Sequence, residues 1–137
     1  MPTKKIVNIL VVDNDKSTVE TLKATISDNA HYHVDAAYGG QECLDIMRKR
    51  EKPYDLLILD IMMPKVSGID VCAAMTKDEK LRKTPVLLAS ALPVASRTFL
   101  ESLGNYDELK IAKDVLEKPF FVNELMSKID DIIKKNK

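Results

Sequence analysis

The segment from Ile6 to Val12 is almost entirely apolar, and it ends abruptly in Asp13-Asn14-Asp15. An apolar run of this length without polar alternation is typical of a strand that is buried on both faces of its sheet. Parallel sheets bury their strands in this way, because helices cover both of their faces. The first twelve residues therefore predict an α/β protein.

Four more strands alternate with helical patterns along the rest of the chain. The predicted strands are 32–37, 56–59, 85–89 and 114–117, and the predicted helices lie in 17–27, 41–52, 68–77, 94–112 and 122–133. The third helix is expected to turn Ile69, Cys72 and Ala73 inward. Short strands that alternate with helices predict βα units and a mostly parallel sheet with helices on both faces.

Composition limits the classes of protein that fit. The 137 residues suit a single domain over 1–137, and 21 Lys and Arg balance 21 Asp and Glu, which gives no indication of a nucleic-acid or membrane partner. Cys43 and Cys72 have no CxxC spacing, and the amino terminus has neither a signal-peptide pattern nor a spanning segment. We expect a soluble, cytoplasmic protein.

Polar side chains stand where four of the predicted strands end. Open parallel sheets bind ligands beyond the carboxyl ends of their strands. Carboxylates at one edge repel each other, which Mg²⁺ would relieve, and a cation, a hydroxyl and a lysine around a free carboxylate form a phosphoryl site. Each residue taken alone could be a turn or N-cap residue. The residues concerned are Asp13, Asn14, Asp15, Asp60, Ser90 and Lys118.

Four segments together resemble the receiver domains of two-component response regulators, the CheY-like family. They are VVDND at 11–15, LLILDIMMP at 56–64, VLLASA at 86–91 and EKPF at 117–120. The resemblance covers essentially the whole chain. It implies a flavodoxin-like, doubly wound sheet of five parallel strands in the order 2-1-3-4-5.

The resemblance also implies a role for each residue at the strand ends. Asp60 would accept a phosphoryl group from a histidine kinase or a phosphotransfer protein, and Ser90 and Lys118 would contact the phosphoryl oxygens. A cis peptide bond would precede Pro119. The ligands of Mg²⁺ would be Asp13, Asn14, Asp60 and the main-chain carbonyl of Met62.

Several positions depart from the family pattern. Asn14 stands in place of a second acid, so we expect weaker Mg²⁺ binding, although Asp15 could compensate from one position later. Val115 replaces the Tyr or Phe whose rotation usually accompanies the switch. The segment between Ser90 and Lys118 is longer than is usual in the family, with 105–107 as the expected insertion. The identity of the output partner is therefore the property that can least be transferred from the family to this chain.

In the family that the chain resembles, two positions influence how water reaches the phosphoryl group, and here they carry Met62 and Leu92. Neither side chain can guide a water molecule, and both would obstruct its approach. We therefore expect a long-lived phosphoryl state.

The function that follows is a phosphoacceptor that signals through protein–protein contact, as a monomer or weak dimer, and that is not a conventional enzyme. Two alternatives remain open at this point. One is a receiver-like module that works without phosphorylation, which Asn14 and Val115 favour. The other is a haloacid-dehalogenase-type phosphatase with Asp13 as nucleophile and Asp15 as general acid. The cognate kinase, stimulus and downstream partner are not encoded in any motif.

Two other features have simpler interpretations. His31 and His33 share one face of the second predicted strand, but no third metal ligand lies nearby in the sequence. The basic carboxyl terminus is expected to be the solvated end of a helix, where cations favour the helix dipole.

Overall fold

The computed structural model describes residues 5–91 and 111–136, which form five β-strands, four α-helices and one short 3₁₀ turn. The strands are β1 (Val7–Val12), β2 (Tyr32–Ala37), β3 (Leu56–Asp60), β4 (Val86–Ser90) and β5 (Ala112–Glu117). The helices are α1 (Lys16–Ser27), α2 (Gly40–Lys49), α3 (Gly68–Thr76) and α4 (Val122–Lys135), and the 3₁₀ turn is Leu81–Lys83.

The strands form one parallel sheet in the order β2-β1-β3-β4-β5, which confirms the predicted topology. The chain moves outward from β1 to β2 and then returns to the other side of β1 to form β3. The winding therefore reverses between β1 and β3, whose pairing places Val12 beside Leu59. This reversal opens a crevice at the carboxyl ends of these two strands.

Hydrophobic layers cover both faces of the sheet, as the unbroken apolar strands predict. All five residues of β3 and all five of β4 are buried. On one face, Leu57 and Leu59 pack with α2 and α3, and on the other face Leu56 and Ile58 pack with α1 and α4. Successive strand residues point to opposite faces, so each strand contributes to both layers.

Two details of the predicted elements are wrong. Ile69 is 42% exposed, and α3 instead buries Val71 and Met75 together with Cys72. The inward stripe of α3 begins at Gly68 and follows i, i+3, i+4 and i+7, so Ile69 falls to one side of it. The fifth strand begins at Ala112, where the predicted helix over 94–112 would still continue. Strand pairing with β4 overrides the helical pattern there.

Most of that predicted helix, the expected insertion at 105–107 and Leu92 lie outside the described residues. Among the residues that are described, no helix combines the length and apolarity needed to cross a membrane.

Candidate functional site

Two buried carboxylates lie at the crevice where the winding of the sheet reverses. Asp13 follows β1 and is 3% exposed, and Asp60 ends β3 and is 6% exposed. Buried carboxylates are rare in protein interiors unless they are paired or bind a cation. Because β1 and β3 are hydrogen-bonded neighbours, the fold itself brings these two acids together.

Lys118 supplies the cation for this pair. Its Nζ lies 2.5 Å from Asp13 Oδ2 and 3.7 Å from Asp60 Oδ1. The Lys118–Pro119 peptide bond is cis, as expected, and the Lys118 main-chain N–H donates to the Ser90 carbonyl over 2.7 Å. The carboxyl ends of β4 and β5 therefore position the lysine beside both acids.

Ser90 completes the set of strand-end residues. It is the last residue of β4 and is fully buried. Its neighbour Ala89 pairs with Asp60 across the sheet. The structure therefore brings Asp13, Asp60, Ser90 and Lys118 to one edge of the sheet, as the sequence predicts.

The electrostatics of Asp60 are those of a crowded acid. Burial, and next the charge of Asp13, raise the pKa of the Asp60 carboxyl above its ordinary value, while the Lys118 ammonium and the Met62 N–H oppose that rise. The Met62 N–H donates to Asp60 Oδ1 over 3.3 Å. The ionised form of Asp60 is therefore incompletely compensated, and an additional cation beside it would stabilise that form.

Asn14 and Asp15 lie on the rim of the crevice. Both side chains are exposed. Asp15 is the N-cap of α1, where its carboxylate accepts hydrogen bonds from Ser17 N over 3.1 Å and from the Thr18 hydroxyl over 2.9 Å. Since both carboxylate oxygens stabilise the start of the helix, this arrangement does not favour Asp15 as a metal ligand that compensates for Asn14. It also does not favour Asp15 as a general acid beside Asp13.

A cation at this site would have two carboxylates rather than three. Within residues 5–91 and 111–136, no three His, Cys, Asp or Glu side chains cluster closely enough to hold a metal ion. Asp13 and Asp60 nonetheless offer the hard oxygen ligands that Mg²⁺ prefers, and Asn14 offers an amide oxygen at the rim. The residues fit Mg²⁺, which proteins commonly bind through one or two carboxylates.

The loop from β3 to α3 is fixed tightly against Asp60. The Gly68 N–H donates to the Ile61 carbonyl over 2.9 Å, and a Cβ atom on Gly68 would lie 2.4 Å from the Asp60 carbonyl oxygen. In the same loop Lys65 has a φ of 68°, a left-handed conformation unusual for a residue with a side chain. Met62 projects from the loop with 56% of its surface exposed.

The sequence analysis missed a second glycine that positions this loop. Gly40, the first residue of α2, lies so close to Val66 that a Cβ atom would come within 2.5 Å of the Val66 carbonyl oxygen. The adjacent Gly39 and Gly40 predict a break after β2, but only Gly40 is needed for close packing. The sequence holds no signal that separates the two.

The remaining candidates lie away from the crevice or carry no charge. Val115 is half-buried and packs against the core on the α2–α3 side. The exposed His33 ring lies 3.1 Å from Asp35, a surface pair. His31 precedes β2 rather than lying within it, so the two histidines are not two members of one strand face.

The arrangement is suited to nucleophilic chemistry at a phosphoryl group. A buried carboxylate can act as the nucleophile, and an ammonium group held nearby can neutralise charge on the transferred oxygens.

Comparison with known proteins agrees with this geometry. Residues 9–130 match the family model described as the response regulator receiver domain. The response regulator MprA of Mycobacterium bovis is 35% identical over 135 residues, which cover 96% of this chain and 52% of that protein. The chain thus spans about half the length of the curated relatives it matches.

Solved structures show the same fold. The Francisella response regulator 1452 receiver domain is 30% identical with a TM-score of 0.78, and the match covers 96% of this chain and 99% of that one. The Vibrio cholerae chemotaxis protein CheY4 is 24% identical with a TM-score of 0.78, over 93% of this chain and 98% of that one. The second likeness concerns the fold alone.

Proposed function

Since the chain belongs to the family of response regulator receiver domains, we propose that Asp60 is its phosphoacceptor. Receiver domains are signalling phosphoacceptors of two-component systems rather than conventional enzymes. The observation that supports Asp60 is its place: it is a buried carboxylate at the end of β3, within 3.7 Å of Lys118.

The proposed transfer is an in-line displacement at phosphorus. An Asp60 carboxylate oxygen forms the new P–O bond while the P–N bond to the donor phosphohistidine breaks. The donor ring is protonated on its other nitrogen and so leaves as neutral imidazole. The Lys118 ammonium moves from Asp13 toward the transferred group and neutralises one of its oxygens. The Ser90 hydroxyl donates a hydrogen bond to another oxygen.

Mg²⁺ would be held by Asp13, Asp60, Asn14 and the Met62 carbonyl, and when bound it supplies positive charge for the phosphoryl oxygens. The protein residues supply the remaining interactions. Asp13 holds Lys118 in place before transfer, over 2.5 Å, and releases it as the new charge develops.

Phosphorylation changes the charge at the edge of a packed sheet, and the response of Ser90 and Lys118 shifts a conformational equilibrium. We propose that the domain, 1–137, acts as a single receiver unit in the cytoplasm. It receives the phosphoryl group from a histidine kinase or phosphotransfer protein and passes the signal on by protein contact. Its own dephosphorylation is slow, because Met62 offers no polar guide to water.

The test is intact-mass measurement and peptide mapping after incubation with acetyl phosphate and Mg²⁺. We expect one added phosphoryl group on Asp60 in the native protein and none in Asp60→Ala. Asp28→Ala, the same change at an exposed position at the end of α1, is the matched control and should be modified normally.

The other outcomes separate the alternatives. A phosphoryl group trapped on Asp13 with rapid turnover would favour the phosphatase hypothesis. No modification by acetyl phosphate, followed by none from a phosphorylated histidine kinase, would favour a receiver that works without phosphorylation.

A further inference from the structure

Positive charge collects at the edge of the sheet opposite the acidic crevice, although the chain as a whole is electrically neutral. Two adjoining clefts lie at the amino-terminal edges of β1, β3, β4 and β5, with volumes of about 360 and 340 Å³. Both are bordered by Lys83, Pro85 and Asn136, so they form one continuous depression. We call it the basic cleft; its cations are Lys5, Lys52, Arg82, Lys83 and Lys113.

These five cations have no partners among the residues that the structure describes. Within residues 5–91 and 111–136, none of their side chains forms an ion pair or donates a hydrogen bond, and all five are exposed. Lys128, by contrast, pairs with Asp114 over 2.9 Å. The basic cleft is therefore a place where uncompensated like charges converge, which an anion would relieve.

Among the described residues that border the basic cleft, one is an acid, Asp55. Asp55 Oδ2 accepts a hydrogen bond from the Asn8 main-chain N–H over 2.8 Å, so this carboxylate is occupied in fixing the start of β3 to β1. Five cations face one carboxylate, and Asn136 adds an amide that can donate hydrogen bonds.

We propose that the basic cleft binds a compact polyanion that carries two or more phosphate groups. Its volume is that of a small-ligand site, and lysines are effective point charges for phosphate. A single-stranded nucleic acid is disfavoured because it binds through exposed aromatic rings. Among the described residues, the aromatic ring that borders the cleft belongs to Tyr54, which is 3% exposed and donates its hydroxyl to Asp35 over 2.7 Å.

The experiment is calorimetric titration of the full chain with inorganic tripolyphosphate, followed by amide NMR with the same probe. We expect saturable binding, with shifts centred on Asn8, Lys52, Lys83 and Asn136. Lys52→Gln/Lys83→Gln should weaken binding by roughly tenfold, since it removes two of the five charges. The control Lys23→Gln/Lys49→Gln removes two exposed lysines that do not border the cleft, and it should change affinity less than twofold.

Two further probes identify the source of the phosphates. Equal affinity for tripolyphosphate and ATP would show that the cleft recognises phosphate alone, and tighter binding of ATP would show that a nucleoside contributes; both support the proposal. Tighter binding of hexaglutamate than of tripolyphosphate would overturn it in favour of an acidic protein segment.

Three results would refute the proposal: no binding at millimolar tripolyphosphate, equal losses in the two double variants, or amide shifts centred on Asp13 and Asp60. Asp60→Asn should bind the probe as the native protein does. A failure of the basic cleft to bind tripolyphosphate and a failure of Asp60 to accept a phosphoryl group are therefore observed in separate experiments.

Discussion

Lys118 Nζ lies 2.5 Å from Asp13 and 3.7 Å from Asp60, so the cation of the site is held chiefly by the acid that does not receive the phosphoryl group in our proposal. The contact between Asp60 and Lys118 is longer and therefore weaker, and the pKa of the Asp60 carboxyl is raised. The site is consequently prepared for a second positive charge near Asp60.

Restoring an acid at the rim should tighten Mg²⁺ binding. Asn14→Asp adds a negative charge and a carboxylate oxygen beside Asp13, and we expect the Kd for Mg²⁺ to fall roughly tenfold. Calorimetric titration with MgCl₂ measures the change. The control is Asn29→Asp, which adds the same charge at an exposed turn. Unchanged affinity in Asn14→Asp would show that this side chain does not reach the ion.

A polar residue in place of Met62 should shorten the lifetime of the phosphorylated state. The Met62 side chain is exposed beside Asp60 and cannot orient water, whereas an amide can. We expect Met62→Asn to lose its phosphoryl group several times faster at neutral pH, as followed by intact mass. Met62→Leu keeps the site apolar and should retain the native lifetime. Equal rates of phosphoryl loss in the native protein and both variants would show that the Met62 side chain does not control the lifetime.

A methyl group at Gly68 should disrupt the loop that borders the site. The added Cβ atom would meet the Asp60 carbonyl oxygen, and we expect Gly68→Ala to lower the free energy of unfolding by about 1–3 kcal/mol. Urea denaturation measures it. Gly39→Ala is the control, because a Cβ atom there has no neighbour within 4 Å. Similar losses in both variants would mean that the close approach of Gly68 to the Asp60 carbonyl does not govern its effect on stability.

A substitution at Lys65, the left-handed residue of the same loop, should stabilise the protein. Lys65 has a φ of 68°, which asparagine adopts more readily than lysine. We expect Lys65→Asn to raise the free energy of unfolding by about 0.5–1 kcal/mol. Lys65→Ala should leave it nearly unchanged, because alanine meets the same steric penalty. Stabilisation by both substitutions would point to loss of the lysine charge instead.

The stability of the protein should fall with increasing pH above pH 9. Burial raises the pKa of both Cys43 and Cys72 from 9.0 to about 12. Between these values the folded state keeps protons that the unfolded state releases, so the free energy of unfolding decreases as pH rises. Burial also raises the pKa of Tyr32 and of Tyr54, which adds to the slope.

Urea denaturation from pH 7 to 10.5 tests this expectation. Cys43→Ala/Cys72→Ala should show a shallower decline than the native protein, whatever its stability at pH 7. The native thiols should also react with a disulfide reagent at pH 8 only after unfolding. Rapid reaction in the folded state would contradict their burial.

Local sequence patterns predict several features of this protein correctly. The apolar strands β3 and β4 have no polar alternation, and that pattern alone requires cover on both faces, which the structure confirms. Asp60, Ser90 and Lys118 follow from strand ends in the same way, since parallel strands present their carboxyl ends at one edge. The order of the strands came from the family resemblance and not from periodicity.

Other features depend on contacts between distant residues. Asp15 is an acid within the motif, but its carboxylate caps α1, and nothing in the sequence separates that role from metal binding. The sequence pattern predicts an inward stripe of α3 that starts at Ile69, one position from the observed stripe, because the apolar residues of this helix permit more than one face.

The sequence by itself determined the layered parallel sheet and the edge at which its polar residues gather, because hydrophobic burial and side-chain period are local properties. Only the tertiary structure decided that Lys118 lies closer to Asp13 than to Asp60, and that lysines from four separate segments share one cleft. Such distances are set by how the whole chain packs, and no segment encodes them alone.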